Sequence, residues 1–195
     1  MKTRTVAVIT VLMLFAAQQA ASQQTTQEIV EAFINRGSLF ASQGDYDTAI
    51  IDFTDAIRLD PSFPTAYNSR GLAYAHSGDL VRAINDYNHA IRLNPNYLMA
   101  YNNRAFAHVE AGNLGYAIAD FGQVIRLDPS SAGAYINRGH IYFRNRDYDH
   151  AIVDYETAQR LDPNNAEARQ WLREALHWQE ETRRWMEEAQ RQRRR

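Results

Sequence analysis

Four prolines, Pro61, Pro95, Pro129 and Pro163, recur every 34 residues. Each closes a similar phrase: IRLDP, IRLNP, IRLDP and QRLDP. A fixed period in this range is the mark of a stacked repeat, in which each unit is too small to bury its own apolar face and relies on the next. The period therefore constrains the chain before composition does. A proline cannot continue a helix, so each beat ends one helix and opens the next unit.

Between beats the spacing is helical. Tyr67, Gly71 and Tyr74 fall on one face, as do Ala83, Tyr87 and Ala90. The first unit has Phe33, Gly37, Phe40, then Ala49, Phe53, Ala56. The third has Tyr101, Ala105, His108, then Ala117, Phe121, Val124, and the fourth Tyr135, Gly139, Tyr142, then Ala151, Tyr155, Ala158. A small residue between two aromatics lets a paired helix approach while the rings fill the flanking gaps. Gly44, Gly78 and Gly112 sit where a left-handed residue ends the first helix of each pair. In the fourth unit Asn145 or Arg146 must make that turn.

This pattern resembles the tetratricopeptide repeat (TPR). The match covers roughly residues 28–165, in four units spanning 30–63, 64–97, 98–131 and 132–165. The resemblance implies an all-α fold, a right-handed α-solenoid of four helix-turn-helix units. It also implies a non-catalytic scaffold that binds an extended peptide or a partner helix in the concave face lined by the first helices.

Where the family usually has Leu before the Gly, every unit has Arg: Arg36, Arg70, Arg104 and Arg138. Asp52, Asp86, Asp120 and Asp154 recur with the same period. Both residue sets flank the packed face, so one partly buried Arg–Asp pair per unit is expected, rather than a free row of cations for an anion.

Rotation at about 100° per residue picks out the face of the first helices left free for a ligand. It carries Asn35 in the first unit and Asn68, Ser69, Leu72 and His76 in the second. It carries Asn102, Asn103, Phe106 and Glu110 in the third, and Ile136, Asn137, His140, Phe143 and Arg144 in the fourth. Asn35, Asn103 and Asn137 share one slot. A side-chain amide there either holds a peptide backbone or ties first helices together. In chaperone-binding TPR proteins that Asn works with Lys and Arg to clamp a terminal carboxylate. Here the neighbouring slots hold Ile34, Ser38, Leu72, Met99 and Gly133, so the clamp lacks its cations. Leu72, Phe106, Ile136 and Phe143 point instead to a ligand with apolar side chains.

Outside the repeats, Met1–Ser22 reads as a secretory signal peptide: Lys2 and Arg4, the apolar run Val6–Ala17, then Ala20-Ala21-Ser22 before Gln23. The alternative is a retained anchor, but the run is short of the ~20 residues that span a bilayer. No stable membrane insertion is expected after cleavage. The segment reads as that of an exported bacterial protein, periplasmic or extracellular. Residues 23–29 form a lead-in in which Thr25 and Glu28 have capping-box spacing, predicting that the first helix starts there.

After the last beat, residues 166–195 read as a long capping helix with a basic tail, and Asn164 or Asn165 can cap it. Trp171, Ala175, Trp178, Thr182, Trp185 and Ala189 make one stripe. Its first part covers the end of the repeat array. Trp178, Trp185 and Met186 run past it, either as a self-association surface that would make the protein a structural assembly subunit or as a solvated tail.

The net charge of −2 gives no case for nucleic acid. The absence of cysteine excludes disulfides, thiolate nucleophiles and Cys-bound zinc. No phosphate loop, nucleophile motif or metal-spaced His pair is present, so no cofactor, metal or enzymatic activity is expected.

Overall fold

The computed structural model describes the backbone of residues 2–194, and side chains from Gln18 onward except at 20 and 21. The apolar run Val6–Ala17 thus lies outside the residues whose side chains are described. Among the described residues the chain is all helix: α1 (Lys2–Ser42), α2 (Tyr46–Leu59), α3 (Pro64–His76), α4 (Leu80–Leu93), α5 (Leu98–Glu110), α6 (Leu114–Leu127), α7 (Ala132–Arg144), α8 (Tyr148–Leu161) and α9 (Ala166–Arg193). They fall into two compact units, residues 1–94 and 95–195.

Each repeat is a helix pair, and its borders follow from local chemistry. Asp45, Asp79 and Asp147 precede the second helices and accept a hydrogen bond from Thr48 N (3.1 Å), Arg82 N (2.9 Å) and His150 N (3.3 Å). These bonds satisfy amides that the first helical turn leaves unpaired. Just before these caps the backbone turns left-handed, at Gly44, Gly78, Gly112 and Arg146 (φ +60°). Arg146 therefore makes the fourth turn, and it is the one non-glycine at positive φ among the described residues. At the proline beats, Asp60, Asp128 and Asp162 each accept from the amide two residues on, closing a turn around the Pro. Asn165 Oδ1 accepts from Ala168 N at 2.9 Å and caps α9.

Within a pair, the small slot faces the aromatic one. A Cβ added at Gly37, Gly71 or Gly139 would lie 2.8, 2.8 or 2.7 Å from Phe53, Tyr87 or Tyr155. These contacts are too close for a side chain, so glycine fixes how near the two helices come. The aromatic rings, with Phe121 of the third pair, are almost fully buried. Each such ring contributes about 1.5–3 kcal/mol of burial.

In residues 1–94 the core joins Val30 and Ile34 of α1 to Ala49, Phe53 and Ala56 of α2 and Ala66 and Ala73 of α3. In residues 95–195 one cluster joins Ala105, Ala117, Phe121 and Ile141. Another joins Ile136, Ala151, Ile152, Tyr155 and Ala158 to Ala168 and Ala175 of α9.

The start of α1 differs from the sequence expectation. Thr25 does not cap. Its hydroxyl donates back to the Ser22 carbonyl at 2.8 Å, as does that of Thr26 at 2.9 Å. The helix runs through the lead-in from Lys2, so the Glu28 amide is no longer an orphan for a capping box to satisfy. Among the described residues, no helix is long and apolar enough to cross a membrane.

Candidate peptide-binding cleft

The recurrent Arg and Asp residues pair with each other. Arg36, Arg70, Arg104 and Arg138 each place Nε and Nη2 on the two carboxylate oxygens of the Asp sixteen positions on, at 2.6–2.8 Å. The four carboxylates are buried. The bond to the carboxylate holds Arg70 and Arg138 above the ordinary guanidinium range, against the opposing pull of burial. Arg70 also donates to Thr54 Oγ1 at 3.1 Å. The geometry binds first helix to second and leaves no row of open cations.

In residues 1–94 the candidate groove face encloses a defined space. Ser38, Ala41 and Ser42 of α1, and Ser69, Leu72, Ala73 and His76 of α3, surround a cleft of about 280 Å³ floored by Phe53. Tyr46, the first residue of α2, closes one side and stacks on His76, with ring centroids 5.2 Å apart and planes at 10°. Leu72 is exposed into this space. No acidic side chain, arginine or lysine lines it. Asn35 lies exposed on α1. The cleft can therefore take a small apolar side chain; at its edge the Ser38 and Ser42 hydroxyls donate to the Ile34 and Leu39 carbonyls of their own helix at 2.7 and 2.6 Å, so their oxygens are left to accept from a ligand's backbone amide.

Two candidates leave this face. Asn68 and Ile136 are buried. They share a slot with Ile34, which packs into the core with Ala66 and Ala73 of the next helix pair, and Ile136 packs likewise with Ala168 and Ala175 of α9. That slot stacks one pair on the next and is not open to a ligand.

In residues 95–195, Asn102 and Asn103 are half-buried on α5 and Glu110 is exposed at its end. Phe106 is half exposed, with its ring edge-on to Phe121 at 5.3 Å. On α7, Asn137 is half-buried and Arg144 exposed. His140 and Phe143 are occupied: Trp171 of α9 packs against them at 4.8 and 5.3 Å. The cap takes the place a ligand was expected to fill. It also leaves two buried polar atoms, His140 Nε2 and Tyr155 Oη, without a hydrogen-bond partner. Burial pushes the His140 pKa down, partly countered by Glu167 3.8 Å away.

Residue reasoning passed over Tyr46. Its signal was present: the slot that opens each second helix holds Tyr46, Leu80, Leu114 and Tyr148, two of them aromatic. His108, in a slot held elsewhere by Phe40, Tyr74 and Tyr142, stacks on Tyr116 at 5.2 Å, and burial lowers its pKa. Among the described residues, no group of three or more His, Asp or Glu is placed to hold a metal.

Similarity to known proteins agrees with this architecture. Tetratricopeptide repeat profiles match residues 64–97 and 132–165, and a second TPR repeat profile matches 37–78 and 107–145. Together they take in more than half the chain. No curated protein is significantly similar in sequence. Among solved structures, MamA superposes with a TM-score of 0.72 at 24% identity, over 78% of this chain and 84% of that one. PilF of Pseudomonas aeruginosa gives 0.70 at 18%, over 80% and 72%. The first TPR of Spaghetti (RPAP3), bound to the HSP90 peptide SRMEEVD, gives 0.58 at 28%, over 60% and 95%. Repeat register, helix pairing and profile matches agree: the chain belongs to the tetratricopeptide repeat family.

Proposed function

We propose that this TPR protein is a non-catalytic scaffold, exported by its N-terminal segment, that binds an extended protein segment in the cleft between α1 and α3. The observation that carries the reading is the composition of that cleft: Leu72, Ala41 and the Tyr46–His76 stack around about 280 Å³, edged by serines, with no acid, arginine or lysine. Such a space rewards one small or medium apolar side chain on an uncharged stretch of backbone. The HSP90 peptide held by the Spaghetti TPR ends in the acidic run EEVD. The present cleft offers that kind of ligand no cation, so an internal segment suits it better than a charged C-terminus.

Selection from a displayed peptide library tests this. Enriched sequences should share an apolar residue between small or polar neighbours, and binding should survive amidation of the peptide C-terminus. Leu72→Arg should abolish the enrichment with the helical spectrum unchanged. Binding that requires a free terminal carboxylate, or that Leu72→Arg leaves intact, would overturn the reading.

A further inference from the structure

The second half of α9 carries the clearest apolar surface that the fold does not use. Its first half is docked, with Trp171 half-buried among His140, Phe143 and Tyr155 and Ala175 fully buried. Gln179 is the last residue bonded to another helix, donating to Asp149. Beyond it, the ion pairs are all between residues of α9 itself: Glu180 with Arg183 and Arg184, Glu181 with Arg184, and Glu187 with Arg191. Yet the docking stripe continues. Trp178 is 45% exposed, Trp185 70% and Met186 48%.

We infer that this stripe joins two copies of the chain through an antiparallel pairing of their α9 helices. The order of side chains along this stripe selects a second copy, and the antiparallel sense.

The selection is steric. Along the seam, large and small residues alternate: Trp178, Thr182, Trp185, Ala189. Two parallel copies would set Trp against Trp and leave the small layers empty. Two antiparallel copies, with a two-fold axis between Thr182 and Trp185, set Trp178 against the partner's Ala189 and Thr182 against the partner's Trp185. Every layer then holds one large and one small side chain, the condition for dense packing. The Thr182 hydroxyl donates to the Trp178 carbonyl at 2.7 Å, so it is satisfied within its own helix and its methyl is left for the ring.

The charges do not make this selection: in the same register Glu181 lies beside the partner's Glu188 and Arg184 beside the partner's Arg184, so the pairing rests on the packing of the seam. Met186 borders the opposite edge.

This inference does not depend on the cleft between α1 and α3. Its test is sedimentation equilibrium of the full chain and of variants changed only in α9, with far-UV circular dichroism as the check on folding. The chain should be a dimer. Trp185→Ala removes a side chain the repeats do not need, and should weaken dimerisation at least tenfold with helicity kept. Ala189→Trp adds apolar surface but fills the slot for the partner's Trp178, and should also dissociate the dimer. Ala189→Cys, in a chain with no other cysteine, should form no disulfide-linked dimer under oxidation, because the two 189 positions lie about 16 Å apart along the axis. A monomeric chain, a dimer indifferent to Trp185→Ala, a dimer tightened by Ala189→Trp, or ready crosslinking through Ala189→Cys would each overturn the proposal.

Discussion

Arg70 grips Asp86 at two points, Nε on Oδ2 at 2.7 Å and Nη2 on Oδ1 at 2.8 Å, and the carboxylate is 6% exposed. The same fork recurs in the other three repeats. Taking a carboxylate out of water is costly unless hydrogen bonds replace its hydration, and here the first helix of the pair supplies them. The pair is therefore expected to fix the register of the two helices more than to add net stability.

Removing one partner should expose that cost. Arg70→Met strands a buried carboxylate, with an expected loss of about 3–5 kcal/mol in urea unfolding. The double variant Arg70→Met, Asp86→Leu should recover most of it. Arg36→Met should be milder, since Arg36 is 58% exposed and its removal lets water in to the Asp52 carboxylate that it now covers. A double variant no better than the single one would show that the pair contributes net stability.

The glycine opposite each buried ring sets a second expectation. Gly71→Ala places a Cβ 2.8 Å from Tyr87 Cε1 and should destabilise by about 1–3 kcal/mol through overpacking. Ala105→Gly in the third repeat, where a buried methyl already packs with Phe121, should cost about 0.5–1 kcal/mol of helix propensity and about 0.8 kcal/mol of lost burial. Thermal unfolding of the two variants checks both values.

Arg146 holds φ +60° where the other repeats use glycine. An L-residue there carries about 1–2 kcal/mol of steric cost. Arg146→Gly should raise the unfolding midpoint, with a gain of about 0.5–1 kcal/mol after the added freedom of the unfolded chain is deducted. A lower midpoint would mean that the Arg146 side chain contributes more than its backbone strain.

His140 gives the C-terminal repeat a pH dependence. Burial against Trp171 and Tyr155 lowers its pKa below the ordinary value of about 6.5, and Glu167 only partly offsets this. In the window between the unfolded and folded values the unfolded chain binds more protons. Stability from this residue is thus full above about pH 6.5 and is lost as pH falls toward the folded value. The unfolding midpoint should drop between pH 7.5 and 5.5, less steeply in His140→Phe. The remaining slope should report His108, whose pKa burial also lowers.

The fold was largely legible in the sequence because its rules are local and repeated. Pro61 through Pro163 set the period, Gly37 and Phe53 the packing, and Arg36 with Asp52 the pairing. The site was less so. Helical rotation gives the direction of a side chain but not what lies in that direction. Ile136 and Asn68 point along the stacking axis and are covered, while α9 lies over His140 and Phe143. Tyr46 was overlooked because it belongs to a second helix, although its ring reaches the cleft. Thr25 failed as a cap because helix continues on its N-terminal side, something a four-residue motif cannot register.

Helix α9 is clamped along one half and free along the other, which makes it a lever. From Arg183 to Arg193 the free arm extends about 16 Å. A load on Trp185 is transmitted along the helix to Trp171, whose seat includes His140. Any effect that engagement at the tip has on seating at the root is matched by an equal effect of seating on engagement. With such coupling, acid that loosens the root at His140 weakens engagement at the tip.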